Sequence, residues 1–312
     1  FGPEENYNPW FPFEGANFWQ DWERDVHFSF YEADGELAIA QDAGVKIFGG
    51  YTRGQAQKSL SLYARGRYGV GEFEYPFFNS LEYDSFQTLV LRNAGNDWMR
   101  ANLRDVITTS LLSEVGIETQ AARPVAVYLN GNYWGLYYLR EKINEHFLDD
   151  KIDVQKSEIN LLEKNAEVIY GSNHDYLELI QFLENNSLSE AENYAFIEDQ
   201  IDIDNFITYC ITQIYIDNRD WPHNNIKFWN SPTTKWRWIL FDTDWGWGLR
   251  DDSEYLFNSL SYGLGDQVGN WKTASWASLL LRSLMENRDF QVKFLNHYAD
   301  QVNGILSSSN VI

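Results

Sequence analysis

With 312 residues, 44% of them hydrophobic and 17% aromatic, the chain has ample apolar material for a large core, which excludes a disordered protein. Its formal net charge of −22, from 24 Lys and Arg against 46 Asp and Glu, argues against binding nucleic acid or an anionic membrane surface, since both require a basic face. Cys210 is the only cysteine, so an intramolecular disulfide is impossible, and no apolar run approaches the roughly 20 residues of a membrane span.

The chain opens at Phe1 without Met or a signal-peptide pattern, so the expectation is a processed or trimmed protein. Trp10, Phe11, Phe13, Phe18 and Trp19 make its first twenty residues read as a segment packed on a core. Val26 to Tyr31, Gly44 to Phe48 and Leu60 to Ala64 alternate like strands. A long helix is expected over 97–115, capped by Asp97, with Leu103, Val106, Ile107, Leu111 and Leu112 on its apolar face and Gly116 as its stop. Pro124 opens a hairpin in which Asn130-Gly131 joins 125–129 to 133–139, the strongest short-range hairpin signal. From Glu141 onward helices are expected near 143–147 and over 175–185, 191–200 and 204–216, then a glycine-rich loop from Gly246 and a helical tail from Ser275. The layout is α+β, a β-rich part over 1–138 and a mainly helical part over 139–312.

Two blocks in the second part carry chemistry. Asn218-Arg219-Asp220-Trp221-Pro222-His223-Asn224-Asn225 sets an Arg-Asp pair five residues before an Asn. That is the spacing of a kinase catalytic loop, whose Asp accepts the substrate hydroxyl proton and whose Asn holds a metal ion. Phe241-Asp242-Thr243-Asp244-Trp245-Gly246 ends close to the Asp-Phe-Gly that binds the same metal from the other side. Between them, 226–229 and 236–241 are aromatic and branched, with Ser231-Pro232-Thr233-Thr234 as turn chemistry. A hairpin there puts Asn225 and Asp242 at one open end, across roughly 5 Å of strand spacing. Magnesium takes one or two carboxylates plus phosphates, so such a pair beside Asp220 suffices.

A glycine-rich phosphate loop is missing. Gly69-Val70-Gly71 lacks the third glycine, and Gly49 to Gly54 continues into Gln55-Ala56 instead of Lys-Ser. Arg53 and Lys58, the latter entering a strand, are the candidate phosphate contacts.

These blocks, with Gly44-Val45-Lys46-Ile47-Phe48-Gly49-Gly50, Lys58-Ser59, Leu91-Arg92-Asn93, Leu103-Arg104-Asp105, Tyr128 to Tyr137, Glu141 and the tail motifs Leu281-Arg282 and Glu286-Asn287, resemble the spore coat protein H (CotH) kinase family from about Asp42 to Ile305. The resemblance implies a two-lobed, atypical protein-kinase-like fold and phosphorylation of protein substrates with ATP and magnesium or manganese, often in secreted or surface proteins. Carried over, Asp220 is the catalytic aspartate and Asn225 the metal-binding asparagine, while Asp242 and Asp244 fill the family's D-x-D, the principal ligand between them staying open. Asp105 and Glu114 are candidate partners for Lys58, and Glu141 a hinge or substrate residue. Two other classes stay open. One is a catalytically inactive kinase-like interaction module. The other is a secreted carbohydrate-active enzyme, in which a carboxylate pair would work beside sugar-stacking Trp98, Trp134, Trp221 and Trp245.

Overall fold

The computed structural model describes residues 11–152, 154–250, 256–266 and 274–311. In chain order they form β1 (Arg24–Tyr31), β2 (Leu37–Phe48), β3 (Ser59–Tyr63), β4 (Phe73–Glu74), β5 (Ser85–Phe86), β6 (Thr88–Arg92), α1 (Arg104–Leu112), β7 (Glu118–Thr119), β8 (Ala122–Leu129) and β9 (Asn132–Glu141). There follow α2 (Glu145–Lys151), β10 (Asn160–Glu163), β11 (Glu167–Tyr170), α3 (His174–Asn185), α4 (Ala191–Gln200), α5 (Ile203–Tyr215), β12 (Lys227–Ser231), β13 (Thr234–Leu240), α6 (Ser259–Gly263), α7 (Ser275–Leu284), α8 (Arg288–Asn303) and α9 (Ser308–Val311). The content is mixed α+β. Two compact units result, Phe1–Asn102 with Gln120–Ile143, and Leu103–Thr119 with Asn144–Ile312.

The first unit is built on an antiparallel six-stranded sheet in the order β1-β2-β3-β6-β9-β8. Asn130 and Gly131 both take positive φ, 50° and 79°, and Leu129 pairs with Asn132, as a two-residue hairpin turn requires. One face of the sheet packs Leu62, Leu89, Leu91 and Leu139 into a core with Phe30, Phe73, Phe77 and Phe86. Phe77 is its centre, with the rings of Phe30, Tyr75 and Phe86 set edge-on at 5.2 to 5.8 Å. In the opening segment Phe18 is buried, whereas Trp10 lies outside the described residues.

In the second unit a five-stranded sheet runs β11-β10-β12-β13-β7, antiparallel except for the β13–β7 pair. The β12–β13 hairpin is the expected one, tightened to a two-residue turn because Ser231 pairs with Thr234. Phe228 and Trp238 are cross-strand partners and stack with centroids 5.6 Å apart. Asn205 fixes α5 to this hairpin: its Oδ1 accepts from Trp238 N at 2.6 Å and its Nδ2 donates to Trp238 O at 3.2 Å. Arg237 ties β13 to β7 through Glu118 Oε1 at 2.7 Å, to the Gly116 carbonyl and to the Asp202 carboxylate. Burial pushes the Glu118 carboxyl above its usual range, with Arg237 pulling the other way.

Three expectations change. The helix foreseen over 97–115 starts only at Arg104, because Met99 and Asn102 take positive φ of 63° and 60°, which no helix accommodates. Asp97 instead accepts from the Ala101 N–H at 3.2 Å within an irregular turn. That helix, assigned from sequence to the β-rich part, belongs to the second unit, since β7 behind it pairs with β13. Finally, the stretch after Glu141 is not purely helical, for β10 and β11 extend the second sheet. Their short apolar runs lack any turn signal as strong as Asn-Gly.

Candidate functional site

The end of α5 launches the first motif. Its last turn closes as a Schellman motif, Asn218 N donating to Gln213 O at 3.0 Å and Asp217 N to Ile214 O at 3.2 Å, with Asp217 at φ 53° where glycine is usual. Asn218 then pins the start of the loop. Its Nδ2 donates to Gln213 Oε1 at 2.8 Å, and its Oδ1 accepts from the Asp220 N–H at 3.1 Å. Asp217, half-buried, is held above the usual carboxyl range by desolvation, although Ser259 Oγ at 2.6 Å and Arg219 stabilise its charge. The Arg219 guanidinium lies 3.3 Å over the Phe257 ring, beside the Asp217 carboxylate.

Asp220 is 6% exposed. Asn225 Nδ2 donates to Asp220 Oδ2 at 3.0 Å and reaches the Asp242 carbonyl at 3.4 Å. One amide therefore links both motifs at the open end of the β12–β13 hairpin. Asn225, two residues before β12, and Asp242, two residues after β13, both have positive φ, 56° and 55°, outside the strand conformation. Asn and Asp tolerate this region best, and strain of about 1–3 kcal/mol per residue is characteristic of functional sites.

Asp242 and Asp244 differ. Asp242 is half-buried, whereas Asp244 is 0% exposed. Between them Thr243, also fully buried, donates from N at 2.8 Å and from Oγ1 at 3.0 Å to Asp105 Oδ1. Asp105 sits in the first turn of α1 and is itself 4% exposed. One turn on, Thr108 Oγ1 accepts from Trp247 Nε1 at 2.8 Å, and Arg104 Nε approaches Trp247 O at 3.4 Å. Helix α1 thus seats the whole 242–247 segment. Sequence reasoning named Asp105 only as a partner for Lys58, because the contact with Thr243 spans 138 positions and leaves no local signal.

The seating predicts its own cost. Asp105→Ala strands two buried donors of Thr243 and should destabilise the fold by about 2–3 kcal/mol, against about 1 kcal/mol for Thr243→Val, which removes only the hydroxyl bond. Urea unfolding of both variants checks this, and equal losses would show that the backbone bond contributes nothing.

The candidate ligands at the open end are all oxygens, those of Asp220, Asn225 and Asp242, with the buried Asp244 two residues further along the chain. This set fits a hard divalent cation, which takes few carboxylates and completes its shell with phosphate and water oxygens. It is not a preformed carboxylate cage. Among the described residues, the one His, Asp and Glu trio whose ligand atoms lie mutually within 4.8 Å is His174, Asp175 and Glu178, exposed at the start of α3.

The phosphate-contact candidates lie in the first unit and are engaged there. Lys58 Nζ donates to the carbonyls of Arg53 and Gln55, each at 2.7 Å, and lies 4.1 Å over the Phe18 ring. Desolvation lowers its pKa. Arg53 Nε donates to Gly49 O at 2.6 Å. Both cations therefore hold the 49–55 turn from within. Glu141 is buried, accepting from Tyr83 Oη and, at 2.7 Å, from the Ala121 N–H. Of the four tryptophans suited to stacking sugar, Trp221 is buried in the core of the second unit, and Trp98 Nε1 donates to Gln57 Oε1 at 3.1 Å.

No curated protein matches the chain. The family model described as CotH kinase protein matches it over residues 45–312, a span that takes in β3, α1, the Asp220–Asn225 loop, the hairpin and the Asp242–Asp244 segment. With that coverage, the chain belongs to the CotH kinase family.

Proposed function

We propose that the chain is an atypical protein kinase that transfers the γ-phosphoryl group of ATP to a protein hydroxyl with magnesium or manganese, through a two-lobed fold with a β-rich N-terminal and a mainly helical C-terminal lobe, and that it works as a secreted or surface protein. The observation that carries this reading is the Asn225 amide joining the Asp220 carboxylate to the Asp242 carbonyl. Family membership supports the kinase class.

In this reading Asp220 positions the acceptor hydroxyl and takes its proton. Its backbone is fixed by Asn218 and its carboxylate by Asn225, so little reorganisation is left for the reaction. Because the Asn225 Nδ2 is turned to Asp220, its Oδ1 remains for a cation, which Asp242 and Asp244 would hold from the other strand end. The cation, when bound, offsets phosphate charge and orients the β- and γ-phosphates.

The acidity of the chain supplies the test. At −22, bare ATP should bind poorly, while ATP with magnesium or manganese should raise the melting temperature by more than the two separate shifts added together. Oligosaccharides should give no shift. Transfer of labelled γ-phosphate to protein must then be seen. A nucleotide shift without transfer to any tested protein favours the inactive module, and a glycan shift without a nucleotide shift overturns the kinase reading.

A further inference from the structure

Two helices of the second unit carry regular apolar stripes. On α3, Tyr176, Leu179, Ile180 and Leu183 recur at intervals of three and four, and on α7 so do Trp276, Leu279, Leu280 and Leu284. Leu179, Leu183, Leu280 and Leu284 are buried, whereas Tyr176, Ile180, Trp276 and Leu279 stay half-buried. These four line a cavity of about 610 Å³, completed by Phe206 of α5 and by Phe228 and Trp238 of the β12–β13 hairpin. Helix α7 also offers Ala277 to it, a side chain too small to fill the space.

Protein interiors hold few voids larger than a water molecule, whereas small-molecule sites of about 300–1,000 Å³ are mainly apolar with a few polar groups. Apolar walls give water few partners, so solvent is a poor filling. Among the lining residues Lys164 and Arg282 stand against Glu184 and Glu286, so no net charge selects an ion. Two of these charges are engaged: Lys164 Nζ meets Glu167 at 3.6 Å, and Glu286 Oε2 accepts from Ser187 Oγ at 2.6 Å. Tyr176 differs. Its ring packs against Phe228 and Trp236, with centroids 4.4 and 5.1 Å away. Burial alone pushes its phenol above the ordinary value, with no hydrogen bond or charge to offset it. A hydroxyl so placed gains from any partner that brings a donor or acceptor.

We propose that this cavity binds a neutral, mainly apolar molecule, an aromatic ring system or short alkyl chain bearing one hydroxyl or carbonyl, whose polar end meets the Tyr176 hydroxyl. The site lies wholly within the second unit and does not rest on the kinase reading. Trp221 and Pro222, the two residues after Asp220, line the same cavity. An occupant therefore stands against the loop that carries Asp220.

Calorimetric titration of the full chain with naphthalene and with 1-naphthol tests the site, with melting temperatures recorded for every variant. Both probes should bind saturably at one site, 1-naphthol the tighter by about two- to tenfold, the scale of one neutral hydrogen bond. Ala277→Phe fills the space from α7 and should lower affinity for both about tenfold or more while the fold keeps its melting temperature. Tyr176→Phe should remove the advantage of 1-naphthol and leave naphthalene unchanged, a split that a purely structural tyrosine would not produce. Absence of saturable binding by the wild type overturns the proposal, and so does wild-type affinity in a folded Ala277→Phe. An undiminished preference for 1-naphthol in Tyr176→Phe overturns it as well. Should Ala277→Phe fail to fold, Ile180→Phe fills the cavity from α3 and is judged by the same loss of affinity.

Discussion

Asp220→Asn should lower phosphoryl transfer by about 10²- to 10⁴-fold while nucleotide affinity stays near the wild-type value. The magnitude is that of a positioned general base, and the sparing of affinity comes from geometry. Asp220 receives the Asn225 Nδ2 at 3.0 Å, and its backbone is placed by Asn218. An asparagine at 220 can turn its own oxygen to the same donor, so the loop keeps its shape and loses only proton-accepting power. Steady-state rates beside a binding titration measure the two quantities separately. A parallel collapse of affinity would move Asp220 from the role of base to that of metal ligand.

The second large effect is expected at Asp242→Asn, which should abolish the cooperative stabilisation by ATP and metal together. At about 100 times the dissociation constant a ligand stabilises the native state by roughly 2.7 kcal/mol, a rise of several degrees at most in a chain this long. The substitution leaves the rest of the site intact for two reasons. Asn225 holds the Asp242 backbone carbonyl, not its carboxylate, and asparagine tolerates the positive φ of 55° at least as well as aspartate. What is lost is one ligand charge. Asp244→Asn is the companion measurement: if it removes the cooperative shift and Asp242→Asn does not, the fully buried Asp244 is the principal ligand.

The parts legible in the sequence are those whose signals are local. Asn130-Gly131 gave its turn because both positions need positive φ. The 226–241 hairpin came from two aromatic runs around Pro232, and α4 runs over the expected 191–200. The meeting of Asn225 with Asp242 needed the hairpin alone. Features that stayed hidden depend on distant contacts. The clasp of Asp105 on Thr243 and of Thr108 on Trp247 spans 138 and 139 positions, and nothing local marks it. Lys58 entering a strand reads as a phosphate contact, and its bonds to its own turn carry no signal in the sequence. Only the folded chain shows two carbonyls closing on it.

The chain passes between its two units three times, at 102/103, 119/120 and 143/144. A single proteolytic cut or truncation therefore cannot release either one whole. A fragment starting at Asn144 keeps Asp220, Asn225 and Asp242 and still lacks α1, whose Asp105 seats Thr243, and β7, whose Glu118 holds Arg237. Loss of function in such a fragment would say nothing about where ATP binds. Dissection of this protein calls for a rewired chain in which residues 103–119 are joined by a linker to the second unit and the gap they leave in the first is bridged.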